Sequence, residues 1–389
     1  MNNKVSVKLF LCFTIISLVG CKPSQENLYM LSPTEDSLVF NLNPQTSIII
    51  KALFPYADRT GQEFLTFQND RESEILWYDV ASQKYVKTTK LQKEGNNGVG
   101  LFCGYYISSE NEIYIPEIYK TVLDIVNDRG EIIRKIDYGK TSLGKPTIPF
   151  LCTSYKPMRI LNGKIFIPQT PNFALNDVMT DSPVTLVLDT VNNSIHEFDL
   201  RFPRVMPSEE IKGNTLGVEF NYSICYNGKD FVYSFFFDED LYIVSLDGKI
   251  KNKIKAKSKY LEKVYAGKQT LVDMNVWAKT LCEIPMYGNL IYDKYREVYY
   301  RFIYLKTELK DDDNYKDIWQ LGRTKFSIMI LDKDLNLLGE TLLPDNTYAS
   351  NLLFVRADGL YISTSFVKNP TFSDDKLCFR RFDLIQTQK

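Results

Sequence analysis

"LYIVSLDGKIKNKIK", residues 241–255, is the stretch on which the fold reading turns. An apolar run ends in a small polar residue, Asp-Gly follows, and a second run begins. Asp, Asn and Gly adopt turn conformations that other residues avoid, and Asx side chains bond back to nearby backbone. Two strands joined by two to five such residues form a hairpin. The layout returns in "EILWYDVASQKYVKT" (74–88), "VLDIVNDRGEIIRKID" (122–137), "TLVLDTVNNSIHEFDL" (185–200) and "SIMILDKDLNLLGETLL" (327–343), with a half copy in "LCFRRFDL" (377–384). Asp79, Asn127, Asp189, Ser245, Asp332 and Asp383 take matching places.

Before most of these hairpins lies another, such as "NYSICYNGKDFVYSFFF" (221–237) and "LIYDKYREVYYRFIYL" (290–305). The repeating unit is therefore four strands, named a to d here. A four-stranded unit returning about every 40 to 60 residues reads as a propeller blade. Units fall near 63–91, 104–137, 159–200, 220–256, 287–342 and 351–383. The expected fold is an all-β, six-bladed β-propeller with antiparallel blades. Seven blades is the alternative, since residues 257–283 could hold further strands; we read that stretch as an insert with some helix. A two-sheet sandwich fits six matching hairpins less well.

The last unit lacks strand d, and the first lacks a clear strand a. An N-terminal strand, from "SLVFNL" (37–42) or "TSIIIKALF" (46–54), is expected to close the last blade. Closure removes sheet edges that would otherwise invite aggregation.

The N-terminus is of another kind. Lys4 and Lys8 precede an apolar run over 9–19, which ends in Leu18-Val19-Gly20-Cys21. This is the layout of an export signal, and it is shorter than the roughly 20 residues that span a bilayer as a helix. The tetrad resembles the lipobox of bacterial lipoproteins. That resemblance implies cleavage before Cys21 and lipidation of its thiol, anchoring the protein to a membrane. The expected division is a signal peptide over 1–20, a lipidated tether over 21–36 and a propeller over 37–389. Signal, repeat and composition together resemble uncharacterised six-bladed propeller lipoproteins of Bacteroidetes. That likeness implies a lipid-anchored place in the cell envelope, at the outer membrane, and carries no catalytic motif to transfer.

The chain has 389 residues with 47 basic and 48 acidic side chains. Without basic bias, nucleic acid is not an expected partner. Abundant Tyr (25) and Phe (24) favour strands. Beyond Cys21, cysteines 103, 152, 225, 282 and 378 form no CxxC pair and read as buried free thiols.

No cofactor or metal is expected. The single histidine, His196, rules out multi-histidine metal sites and sits on a strand face. Acidic runs at Asp311–Asp313, Asp238–Asp240 and Asp374–Asp375 keep a glycan-active carboxylate enzyme open. "DKDLN" (332–336) starts like a calcium loop, but Leu337 stands where that loop needs glycine.

In an up-and-down blade, the a–b and c–d turns share one face. The b–c loops and blade-to-blade connectors share the other. The long segments 138–158, 169–183, 201–219, 257–283, 306–325 and 364–376 all belong to the second group. Long loops on a rigid scaffold commonly carry recognition. Binding of a glycan, peptide or protein is therefore expected on the long-loop face. The candidate site residues there are Tyr155, Lys156, Arg159, Arg204, Trp277, Trp319 and Arg323; for the two tryptophans, pinning the inserts to the ring is the alternative. The function expected is a non-catalytic, lipid-anchored binding module. The alternatives are the carboxylate enzyme and an assembly component docking to an outer-membrane partner.

Overall fold

A computed structural model of the full chain describes residues 28–203, 220–262 and 273–387. Six four-stranded antiparallel sheets form a six-bladed β-propeller. In each sheet strand a is innermost: Leu53–Ala57, Tyr106–Ser109, Arg159–Leu161, Tyr222–Tyr226, Met286–Asp293 and Ala349–Arg356 for blades 1 to 6.

Burial explains how the sequence reads. Strands b and c are covered by neighbouring blades on both faces, so they read as near-continuous apolar runs. In blade 5, strand b (Val298–Tyr304) and strand c (Phe326–Leu331) are buried at every residue. Strand d lies on the perimeter and reads polar, as in Ile250–Lys255, where no residue is fully buried. The core is accordingly six wedges between blades. One holds Phe40, Phe67, Tyr78, Phe354 and Phe379 between blades 6 and 1; another holds Phe302, Ile328, Ile362 and Phe382 between blades 5 and 6.

The repeated polar residue fixes each c–d turn. Asp79 Oδ1 accepts from Ser82 N, Asn127 Oδ1 from Arg129 N and Glu131 N, Asp189 Oδ1 from Val191 N and Asn192 N, and Asp332 Oδ1 from Asp334 N and Asn336 N. Ser245 Oγ accepts from Lys249 N in the same role. Each turn then passes through one residue of positive φ: Gln83, Gly130, Asn193, Gly248 and Leu335. "DKDLN" is therefore a hairpin turn, and Leu337 opens strand d. Asp383 departs from the pattern. It lies inside a long strand, Lys376–Gln386, paired opposite Ser32.

Blade 6 takes strands a to c from the C-terminal end and strand d from Tyr29–Asn41. The register runs from Tyr29 opposite Gln386 to Asn41 opposite Lys376, with a bulge between Pro33 and Ser37. "SLVFNL" thus lies at the end of the closing strand. "TSIIIKALF" does not close the ring; it leads into strand a of blade 1. Two boundaries need correction. Blade 1 does have a strand a, Leu53–Ala57, which Pro55 conceals in the sequence. Residues 29–36, expected as tether, are strand, with Leu31 fully buried. Pro33 is compatible because it lies in an outermost strand, where proline is tolerated.

Residues 257–283 add no blade among the described residues. They carry helix α1 (Met274–Glu283), capped by Asp273, whose side chain accepts from Asn275 N and Val276 N. Helix α2 (Tyr315–Leu321) lies in the b–c loop of blade 5. No described helix is long and apolar enough to cross a membrane.

Candidate functional site: a channel closed at one end

The inner strands enclose a central cavity of about 490 Å³. Its wall includes Leu53, Pro55 and Ala57 of blade 1, Arg159 of blade 3, Ile224, Cys225 and Tyr226 of blade 4, Asn289 to Tyr292 of blade 5, and Leu353 to Arg356 of blade 6. Its rim includes Asn227, Gly228, Lys294 and Tyr295, which belong to a–b turns. The cavity thus opens on the short-turn face, opposite the face expected from loop length.

The reason lies in one connector. Residues 152–156, between blades 2 and 3, cross the axis. Ser154 Oγ accepts from Leu53 N at 3.0 Å, on blade 1. The Tyr155 carbonyl accepts from Ile224 N at 3.0 Å and Ser223 Oγ at 2.9 Å, on blade 4. Blades 1 and 4 stand opposite in a ring of six, so this connector spans the channel and floors it. Ser223 Oγ also accepts from Leu290 N of blade 5. On the long-loop face, then, a described part of the 138–158 segment closes the channel.

Packing above the floor completes the closure. The Tyr155 ring meets Phe236 at 5.8 Å between centroids. Trp277 of α1 and Trp319 of α2 meet edge to face at 4.7 Å, and both pack on the core between blades 5 and 6. These two tryptophans pin the helical inserts to the ring.

The charged candidates fall around the floor. Lys156 is 5% exposed and Arg323 6% exposed. The Lys156 ammonium lies 5.7 Å from the Tyr155 ring and 5.3 Å from that of Tyr222. Burial pulls it down to about 8. Arg323 lies 4.8 Å over the Tyr304 ring and donates to the Gly322 carbonyl, while its Nε has no acceptor. Gly288 admits that Tyr304 ring, since a Cβ there would lie 2.5 Å from it. Burial pushes the Tyr155 hydroxyl up to about 12, with Cys103, Tyr304 and Arg323 close enough to act on it. The structure therefore gathers Tyr155, Lys156 and Arg323 about the floor and places Arg159 in the wall. Arg204 lies outside the described residues, as does Cys21.

Sequence reasoning missed the mouth. Lys294, Tyr295 and Arg356 sit in or beside short turns, which loop length does not single out. Arg356 Nε bonds Glu63 Oε2 at 2.7 Å, joining blades 6 and 1 across the rim. The signal available was inner-strand membership, since every strand a borders the axis.

A second cavity of about 430 Å³ lies on the long-loop face between the 138–158 connector and the 169–183 loop. Its lining mixes polar side chains such as Asn172, Asp181 and Glu197 with apolar ones such as Ile148 and Leu175. Glu197 Oε2 accepts from Lys145 Nζ at 3.1 Å and from an Arg201 guanidinium nitrogen at 2.8 Å.

Four carboxylates of two acidic runs are paired with lysines: Asp311 with Lys279, Asp313 with Lys368, Glu239 with Lys255 and Asp240 with Lys253. His196 is exposed and bonds Ser194 Oγ at 2.8 Å. All five described cysteines are free, and burial raises each thiol.

Residues 26–342 match the sequence profile of the family described as "Domain of unknown function (DUF4221)". The chain belongs to the DUF4221 family. A solved member of the family from Bacteroides vulgatus superposes with a TM-score of 0.80 at 27% identity, over 93% of this chain and 99% of that one. A Bacteroides fragilis protein, named as a candidate exported protein, shares the fold with a TM-score of 0.53 at 11% identity, over 93% of this chain and 98% of that one. No curated protein matches the chain.

Proposed function

We propose that this DUF4221 protein is a non-catalytic binding module anchored in the cell envelope, at the outer membrane, by a lipid on Cys21, and that it receives a small ligand in its channel. The observation that carries the reading is the one-ended channel. A cavity of about 490 Å³ is in the range of small-ligand sites. Its walls are strands rather than loops, so the site is built before the ligand arrives. Preorganisation lowers the entropic cost of binding. The pairing of Asp311, Asp313, Glu239 and Asp240 with lysines favours binding over carboxylate catalysis, because these carboxylates are engaged by cations and lie apart from the cavity.

Lipidation is supported by the Leu18-Val19-Gly20-Cys21 tetrad and its place behind a charged, then apolar, N-terminal stretch. Replacing Cys21 with Ser is expected to move the protein from the membrane fraction to the soluble fraction on cell fractionation. An unchanged distribution would remove the lipid anchor from this reading. The channel half is tested by ligand-dependent thermal shifts of wild type against Ala57→Trp, which places an indole in the mouth. Ligand shifts that persist in that variant would exclude the channel.

A further inference from the structure

We propose that the channel ligand is an amphipathic carboxylate, its carboxylate held by Arg159 and its apolar or ring portion lying against the wall formed by Ile224, Tyr226, Leu290 and Tyr292. This inference rests on the channel being the binding site.

The argument starts from unmatched charge. A guanidinium offers five donors in a fixed fork, and a buried donor without an acceptor is costly. Arg159 lines the cavity, its Nε is buried without an acceptor, and no described carboxylate lies within ion-pair distance of it. The thiols near it, Cys152 and Cys225, are driven toward the neutral form by burial, so neither supplies a counter-charge.

Arg301 shows how this fold treats a buried arginine that has only a structural task. It is fully buried, and its guanidinium donates to Ser234 Oγ and to the carbonyls of Asp238, Glu239 and Ala256, at 2.5 to 2.9 Å. Arg159 has no such set. It borders empty space instead.

The rest of the channel has the same sign. The charged lining residues are Glu63, Arg159, Lys294 and Arg356, and Glu63 is taken by Arg356. Beyond the floor, Lys156 and Arg323 are more than nine-tenths buried, and no described carboxylate pairs with either. Both rest on tyrosine faces, which favour a cation without neutralising it. The closed end is therefore positive. The walls nearer the mouth are chiefly aliphatic and aromatic, which suits the apolar portion. A single planar guanidinium matches a carboxylate as a two-bond fork.

The test uses matched pairs that differ at the acid group. They are p-nitrophenyl glucuronide against p-nitrophenyl glucoside, and octanoate against octanol, titrated calorimetrically into the mature protein. At least one acid is expected to bind about 10-fold or more tighter than its neutral partner, the usual scale for a charge-assisted hydrogen-bonded pair. Arg159→Gln is expected to erase that preference, and Arg159→Lys to keep part of it, with both variants melting as wild type. If neither acid binds, or if Arg159→Gln leaves the preference intact, the inference is overturned. Equal binding of acid and neutral partners that Ala57→Trp abolishes would overturn the carboxylate assignment and leave the channel as the site. Binding that Ala57→Trp leaves untouched would overturn both.

Discussion

The two ends of the channel are built from opposite kinds of chain. At the mouth, short a–b turns stop at the rim and leave the axis clear. At the floor, a long connector crosses from blade 1 to blade 4, and two helical inserts lie above it. Loop length alone suggests the reverse, with recognition where the loops are long. The difference teaches that a long connector in a closed ring has two uses. It can reach outward to a partner, or it can reach inward and seal the axis. Hydrogen bonds across the ring, and not length, tell which.

The largest expected effect separates the two ends by stability. Tyr155→Ala removes a ring packed between Phe236 and the blade 5–6 core. Truncating an aromatic in such a place costs about 3 kcal/mol. Tyr295→Ala, at the rim and 45% exposed, is expected to stay within about 0.5 kcal/mol of wild type. Urea unfolding of the two variants side by side checks this. Equal losses would mean that the floor is no more structural than the mouth.

Much of the ring was legible before any of this, for a local reason. Each c–d turn is fixed by one Asp, Asn or Ser that bonds backbone two to four residues on, so the signal sits within a short window. Strand a of blade 1 was not legible. Leu53–Ala57 is short and holds Pro55, while the conspicuous Ile48-Ile49-Ile50 is connector that packs into the blade 6–1 wedge. The floor was not legible either, because Ser154 and Leu53 are 101 residues apart. Nothing local to either residue marks the meeting. Lys156 and Arg323 were singled out only as residues on or beside long loops that could line a binding site. Their burial under tyrosine rings follows from how the connectors fold over one another, which spacing does not encode.

The buried cations give a smaller effect with a defined sign. Lys156 has a folded value of about 8 against an ordinary 10.5, because burial disfavours the charged form. Between those values the unfolded chain holds the proton and the folded chain has released it, so this residue's contribution to stability rises with pH across that window. Below about pH 8 both states are charged, and the full cost of burying the ammonium is present. Lys156→Met is therefore expected to be more stable than wild type by about 1 to 3 kcal/mol at pH 7. The advantage should shrink as pH climbs from 8 to 10.5. Taking the difference between variant and wild type cancels the tyrosines, which also titrate there. A difference that is flat with pH, or a variant less stable than wild type at pH 7, would show that the ammonium is stabilised where it lies.

The smallest expected effect on stability is also the sharpest probe of the mouth. Ala57 is exposed at the end of strand a in blade 1 and lines the cavity. The turn after it is held from its own far side: Asp58 Oδ1 accepts from Thr60 N at 2.8 Å, Thr60 Oγ1 at 2.7 Å and Gln62 N at 3.0 Å. None of those bonds involves the Ala57 side chain. An indole at position 57 should project into open space while the turn keeps its shape. Ala57→Trp is therefore expected to unfold within about 0.5 kcal/mol of wild type, as surface substitutions away from special features do. The mouth would nonetheless be narrowed by a large rigid group. The opposite end is crossed by Ser154 and Tyr155. Loss of ligand binding with unchanged unfolding would place entry on the short-turn face. Retained binding with unchanged unfolding would place the ligand outside the channel, and the contrast between the two ends would then be one of structure alone.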